Sequence, residues 1–389
     1  MPPRAKSTKT IERLRRALPI LCWLYAAGLL ALWILLWSAG DRWWLATLLL
    51  FGCRWMWALP LVVLLPAMLI VCPRKSWILL LAAEILFVQV MGFNIPVQSF
   101  LLRPIARVFA KVFQNENQGS IQNQNQSLRL RVLTCNTHRE ELDAQALRVE
   151  IALAHPDIVA LQEFDLARRP SLFADPGWHV LLDGELCLAS RHPLKKIRDL
   201  FEATPDGGRA ACYAIQTQNG ALYFINLHLA SPHQSFDAVV NTSPQAEGLV
   251  QTNIAARRAQ AAAVSDFAAH STLPILLAGD FNTPVDGALY RQFWSPFENA
   301  CAAAGWGFGY TYYYDWRSQI RIDHILGGQN WHCERAWIGG DVGSKHRPVI
   351  ADMRWEAARQ PTAAPGASGI AAHPSPTSPN ADPASARGR

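Results

Sequence analysis

The chain has 389 residues, 50% of them hydrophobic, with 15 tryptophans and a formal net charge of +6. That length exceeds one ordinary domain, and the charge is unevenly spread: residues 1–127 carry 13 Lys and Arg against 4 Asp and Glu, whereas residues 128–356 carry 20 against 25, a net −5. The acidic second part gives no support to a large basic face for nucleic acid and leaves room for a local basic patch.

Residues 1–17 are basic, with Arg4, Lys6, Lys9, Arg13, Arg15 and Arg16. Residues 18–38, "LPILCWLYAAGLLALWILLWS", are long and apolar enough to cross hydrocarbon as a helix. A second apolar stretch, about 45–72, is interrupted by Arg54, and a third, "WILLLAAEILFVQVMGFNI", covers 77–95. Three transmembrane helices over 18–95 are expected, with the lipid bilayer as partner. A cleaved signal peptide is the rival reading of the first stretch and does not account for the other two. Arg74 and Lys75 fall on the same side as the basic N-terminus, so that side is the cytoplasm and the rest of the chain lies outside it, as a multi-pass protein of the cell (inner) membrane. Arg103, Arg107 and Lys111 argue the other way. Glu84 is either an intramembrane functional carboxylate or a polar residue facing a neighbour such as Arg54; the second is preferred, because no second carboxylate accompanies it.

Residues 96–127 form a juxtamembrane segment ending in the polar run "QNENQGSIQNQNQS", which reads as a flexible tether, and residues 357–389 are an Ala/Pro/Ser-rich tail expected to be disordered. Between them, residues 128–356 alternate strands and helices. "RLRVLTCNT" is a strand, and "EELDAQALRVEIALAHP" a helix closed by His155-Pro156. "DIVALQEF" is a buried strand, and "ACYAIQTQNGALYFINLHLA" is a hairpin turning at Asn219-Gly220. Residues 250–270 are helical; "LPILLAGDFNTP", "QIRIDHILGG" and "RPVIADMRW" are strands. This is an α/β pattern, and the hairpin means the sheets are not purely parallel. The 8 cysteines have no CxxC and no zinc spacing, and read as small buried apolar residues.

Apolar strands in this region end in polar residues of catalytic type: Asn136, Glu163, His228, Asp280 with Asn282, and Asp323. Each alone has an ordinary reading. Asn136 or Asn282 can cap a turn, Asp323 can pair with Arg321, and His228 can be a half-buried core histidine. Together at strand ends they outline a site.

The ordered set "CNTH", "LQEFD", "NLHL", "AGDFNTP", "RIDHIL" and "SKHRP" resembles the endonuclease/exonuclease/phosphatase superfamily over about 128–356. The resemblance implies a DNase I-like sandwich of two mixed β-sheets flanked by helices, here preceded by a transmembrane helical region. It implies a metal-dependent phosphoric ester hydrolase that uses Mg²⁺, with Mn²⁺ able to substitute. Glu163 and Asn136 would hold the metal; Asp280, Asn282, His228, Asp323 and His346 would be catalytic. By that pattern Asp280 orients or deprotonates water, Asn282 and His228 contact the phosphate, and Asp323 holds His346. His346 serves as base or as stabilising charge; the sequence does not choose. Lys345, Arg347, Arg317 and Tyr310 are candidate substrate contacts by their places in the chain. At Lys345 the chain departs from the family, which usually has aspartate there. A cation so close disfavours a second metal, contacts phosphate, or turns outward without effect. The aromatic segment 305–326 either borders the cleft or is a buried strand and turn. A lipid head group or small phosphodiester is favoured as substrate. An extracytoplasmic nuclease and a non-catalytic tethered domain are the alternatives. No feature specifies an oligomeric state.

Overall fold

The computed structural model describes residues 4–96, 127–138, 141–165, 171–201, 207–315 and 318–357. The tether and the tail lie outside the described residues, except at their ends. The N-terminal region is helical: Arg4–Ala39, Trp44–Phe51, Leu59–Val71 and Trp77–Glu84, the last continued by a π-helical stretch Ile85–Val90. Among the described residues two helices have the length and apolarity to cross a membrane, Glu12–Ala39 and Arg54–Val71. The third expected span is helical only over Trp77–Val90, short of the ~20 residues a hydrocarbon core requires. Glu84 turns to Gln89, whose Nε2 donates to it at 3.2 Å, and not to Arg54. The wider π-helical turn brings residues five apart together.

The segments run between two common ends. At one, Cys72 Sγ lies 3.6 Å from the Arg15 carbonyl. At the other, Arg54 Nη1 donates to the Val90 carbonyl at 2.9 Å. This second end packs on the remainder of the chain: Asn94 pairs with Gly307, and Ala288 N donates to the Gly40 carbonyl at 3.1 Å.

Residues 127–356 build two six-stranded mixed sheets. The first contains β1 (Ser127–Asn136), β2 (Ile158–Gln162), β3 (His179–Asp183), β4 (Leu186–Ser190), β13 (Trp331–Ile338) and β14 (Val349–Glu356), in the order β13-β14-β1-β2-β4-β3. The second contains β5 (Leu194–Asp199), β6 (Arg209–Thr217), β7 (Gly220–His228), β8 (Ile275–Asp280), β9 (Glu298–Asn299) and β12 (Asp323–Gly327), in the order β5-β6-β7-β8-β12-β9. Short β10 (Tyr312–Tyr313) and β11 (Gln319–Ile320) pair with each other. Among the described strand pairs, β1–β2 and β7–β8 are parallel and the others antiparallel.

Alternation decides what each face touches. In β2, Ile158 and Ala160 enter the core between the sheets, where Leu130, Val132 and Leu188 meet Tyr213, Phe224, Leu276 and Ile325. Val159 and Leu161 face outward onto Leu147 and Ile151 of the helix Ala144–Ala154. A strand buried on both faces must read as a continuous apolar run, as "IVAL" does. Asp143 caps that helix by accepting from the amides of Gln145 and Ala146, and His155 ends it in the left-handed region at φ 48°. The helix Ala246–Ala269 covers the outer face of the second sheet through Ala261, Val264 and Ala268. The five cysteines of this part are buried and form no disulfide among the described residues.

Candidate active site

The registers of the two parallel pairs gather the predicted residues. Asn136 lies beside Gln162, one residue before Glu163, at the ends of β1 and β2. His228 lies beside Asp280 at the ends of β7 and β8, and antiparallel β12 places Asp323 on the other side of Asp280. Chain ends from both sheets therefore meet at one edge of the sandwich, and the loop before β14 adds His346.

Asp280 is the centre. Its Oδ2 accepts from Asn136 Nδ2 at 3.1 Å and its Oδ1 from the Asn282 amide at 2.9 Å. Two imidazoles face Oδ2, His228 Nε2 and His346 Nε2, each at 3.7 Å. Each ring is fixed from behind. Nδ1 of His346 donates to Asp323 at 2.8 Å, and Nδ1 of His228 donates to Glu185 at 2.8 Å. Those bonds set which nitrogen faces the site. Asn136 Nδ2 also reaches Glu163 Oε1 at 3.2 Å, and His228 Nε2 lies 3.8 Å from the same oxygen. Tyr312 packs on His346 with ring centroids 4.7 Å apart.

Burial shapes the charges. Burial and the neighbouring Asp323 push the Asp280 carboxyl up to about 6, against the pull of His346 and His228. For His228, burial opposes the charge, but the Glu185 hydrogen bond and the carboxylates of Asp280 and Glu163 outweigh it and push the ring up to about 9. His346 is raised as well, the carboxylates of Asp323 and Asp280 overcoming burial.

A cluster of carboxylates with one lifted into the neutral range is short of positive charge, which fits a divalent cation. Glu163 and the Asn136 Oδ1 are hard oxygen donors suited to Mg²⁺. Oδ1 of Asn136 already accepts from the His138 amide at 2.9 Å and keeps a second lone pair. Asp280, Asp323 and His346 also bring ligand atoms within 4.8 Å of one another. Both oxygens of Asp323 are, however, engaged by His346 Nδ1 at 3.1 and 2.8 Å.

The candidate substrate contacts fare differently. Arg347 is taken up by the exposed carboxylate of Asp341, at 2.8 Å from Nη2, and lies over the Tyr313 ring. Tyr310 stacks on Phe308 and donates its hydroxyl to the Met91 carbonyl at 3.3 Å, so it serves the junction with the N-terminal helices. Lys345 Nζ sits 3.9 Å from Glu141 and 5.9 Å from the Tyr314 ring centre. Arg317 lies outside the described residues. In the aromatic segment Tyr312 packs on His346, and Phe308 packs on Phe93 of the N-terminal region.

Several residues that hold the site escaped the strand-end pattern. Ser344 donates to the Asn136 carbonyl at 2.8 Å and accepts from the His346 amide at 3.0 Å. Thr311 Oγ1 accepts from the amides of Ile322 and Asp323, at 3.1 Å each. Gln162 donates to Asn226 at 2.7 Å, and Asn226 donates to the carbonyls of Leu161 and Cys187 at 3.2 and 3.0 Å, tying the sheets together beneath the site. Glu185 lies in the turn just before β4, and no spacing announces it.

A buried Asp–His pair, a second oriented histidine and a cluster of oxygen donors at the edge of a two-sheet sandwich suit a phosphoric ester hydrolase. The endonuclease/exonuclease/phosphatase family model matches residues 133–352, and the chain belongs to that family, whose members are generally dependent on divalent metals. Among solved structures it is similar to an endonuclease/exonuclease/phosphatase family protein from Bacteroides thetaiotaomicron, at 18% identity over 60% of this chain and 100% of that one, TM-score 0.44. It is also similar to D. rerio TDP2 complexed with single-strand DNA product, at 16% identity over 58% and 98%, TM-score 0.43. A third is the human Nocturnin catalytic domain with bound sulfate, at 16% identity over 58% and 94%, TM-score 0.41. No curated protein matches the chain.

Proposed function

We propose that the protein is a membrane-anchored, Mg²⁺-dependent phosphoesterase acting on a lipid head group or small phosphodiester. The observation that carries the chemistry is Asp280 standing between two imidazoles, each held through Nδ1 by its own carboxylate.

Glu163 and Asn136 would hold the ion, which when bound neutralises charge on the phosphoryl and leaving oxygens. Asp280, with its carboxyl lifted to about 6, is matched to take a proton from the attacking water near neutral pH. His228, raised to about 9, presents a charged Nε2–H to the phosphoryl oxygens, and His346, held through Nδ1 by Asp323, turns its Nε2 to the same place as donor or base. Asn282 commits one N–H to the Leu229 carbonyl at 2.9 Å and keeps the other for substrate. Lys345, at the rim, lends positive potential to an incoming phosphate.

The lipid reading is supported by the net −5 of residues 128–356 and by the apolar region that packs against them. At that junction lies a cavity of about 790 Å³, lined by Trp55, Met91, Trp306, Phe308 and Tyr313 among others. We propose an orientation as well. Gly40, Arg54 and Asn94 sit at the end that meets the catalytic domain, whereas Arg15 lies at the other end beside Cys72, near Arg74 and Lys75 in sequence. Basic residues at the far end read as cytoplasmic, with catalysis on the opposite side.

The test is turnover by the full chain in nanodiscs, with Mg²⁺, on phospholipid, sphingomyelin, inositol phosphates and DNA. Release of a head group or cleavage of a small diester is expected. Cleavage of DNA alone would overturn the substrate class, and inertness towards all of them would overturn the enzymatic reading.

A further inference from the structure

The loop that carries Asp280 and Asn282 is held from the N-terminal apolar region. Arg257, in the helix Ala246–Ala269, is fully buried. Its Nη1 donates to the Asn282 carbonyl at 2.8 Å, and its Nε donates to Asn253 Oδ1 at 2.9 Å. Asn253 in turn donates to the Ser231 carbonyl at 2.9 Å, just beyond His228. One guanidinium thus secures both loops that leave the parallel pair β7–β8. Its counter-ion comes from far away in the chain. Asp41, which follows the first apolar helix, is also fully buried and lies 2.9 Å from the same Nη1. Among the described residues Arg257 has no other carboxylate partner.

The surroundings are built for this contact. Asp41 is held in the left-handed region at φ 58°, which aspartate tolerates better than most side chains. A Cβ on Gly287 would stand 2.2 Å from Asp41 Oδ2, so the turn after Asn282 must be bare there. The Arg257 guanidinium lies over the Phe51 ring, 5.4 Å from its centre.

We infer that Asp41 and Arg257 are positioning residues of the hydrolytic site, and that the apolar N-terminal region is a working part of the enzyme as well as its anchor. This rests on the assignment of Asp280 and Asn282 to the reaction. An unbalanced buried cation cannot stay where it is. Without Asp41, Arg257 must move or draw in water, and the Asn282 carbonyl loses its donor. Asp280 and Asn282 then shift relative to the phosphate; a shift of ~1 Å at a reacting group costs on the order of 100-fold in rate.

The full chain in nanodiscs is compared with Asp41→Asn, Asp41→Asn/Arg257→Met and Asn94→Ala. Asn94 docks the same two regions through the carbonyls of Cys301 and Gly305, away from the loop, and serves as control. Asp41→Asn should lower kcat roughly 10- to 100-fold with KM nearly unchanged, and Asn94→Ala should change kcat by less than about 2-fold. The double variant removes both charges and should recover thermal stability, yet its kcat should stay low because Asn282 still lacks its donor. Recovery of kcat together with stability would reduce the pair to a structural role and overturn the inference. A separate readout needs no substrate: amide hydrogen exchange over 281–283 and 229–232 should quicken in both Asp41 variants and not in Asn94→Ala. Unchanged exchange there would refute the coupling, whereas quickened exchange in a protein inert towards every phosphate ester would refute only the hydrolytic assignment.

Discussion

Replacing Glu185 by Gln tests the electrostatics of the site at its least obvious member. The change keeps the shape and removes the charge that faces His228 Nδ1 at 2.8 Å. A hydrogen bond to a charged group contributes ~1.5–3 kcal/mol, and one pKa unit corresponds to ~1.4 kcal/mol. Glu185 keeps 24% of its side chain exposed, which places it towards the lower end of that range. His228, raised to about 9 in the intact protein, should therefore titrate roughly 1 to 2 pH units lower in the variant. The assay is a ring titration by NMR with ¹³C-labelled histidine, using His228→Gln to assign the signal. It is run in EDTA, so that no divalent ion competes for the same carboxylates. The stability consequence has a definite sign. A histidine raised on folding stabilises fully below its unfolded value near 6.5, and that contribution is lost as pH rises through about 9. Asp280, raised from 3.8 to about 6, loses its share in a lower window, and the share of His346, which is also raised, is lost as pH rises above its unfolded value near 6.5. Glu185→Gln should flatten the fall in thermal midpoint above pH 6.5 and leave the lower window alone. An unchanged His228 midpoint in the variant would refute the reasoning.

His346→Ala should lower kcat by about 10²–10⁴-fold with the thermal midpoint nearly intact, and a rate near wild type would remove His346 from the mechanism. EDTA should abolish turnover and Mg²⁺ or Mn²⁺ restore it; metal-independent turnover would exclude the proposed role of Glu163. Asn226→Leu leaves the Leu161 and Cys187 carbonyls without their donor and should cost about 2–4 kcal/mol, read by thermal unfolding. A phosphatase reporter fused after Ser127 should be active outside the cytoplasm, and a fluorescent reporter seen only inside would reverse the proposed orientation.

What the sequence made legible follows from where burial is strongest. β2 and β8 are apolar on both faces and end abruptly in polar residues, so both the strands and the site residues at their ends stand out. Asn219-Gly220 marked its hairpin for a local reason, since Gly220 takes φ 114°. Strands β3 and β5 carried no such signal. They are edge strands, and β5 reads "LKKIRD" with its charges turned to water. "QIRIDHILGG" reads as one strand but breaks at Arg321 and Ile322, where Thr311 takes the amides of Ile322 and Asp323. Arg347 shows the limit of proximity as a guide. It is the next residue after His346, yet it points to Asp341, because successive side chains leave an extended backbone on opposite sides. Asp41 and Arg54 could not be assigned from spacing at all. Their partners, Arg257 and Asp286, lie more than two hundred residues away in the chain.

The two halves of the site are held in different ways, and this has a consequence for the N-terminal apolar region. Glu163 and Asn282 are both in the left-handed region, at φ 50° and 45°, a conformation that costs a non-glycine residue ~1–3 kcal/mol unless its surroundings impose it. Around Glu163 the constraint is internal to the catalytic domain. Thr137 Oγ1 donates to the Glu163 carbonyl at 2.8 Å, and the next amide, Phe164, donates to the Glu185 carbonyl at 3.0 Å. Around Asn282 the constraint runs through Arg257 and ends on Asp41, beside the first apolar helix. Losing the Asp41–Arg257 contact should therefore release the half proposed to position water and spare the half proposed to hold the metal. Variants at Asp41 should lose kcat while Mg²⁺ still half-activates at the wild-type concentration. A parallel loss of Mg²⁺ affinity would mean that the two halves move as one body.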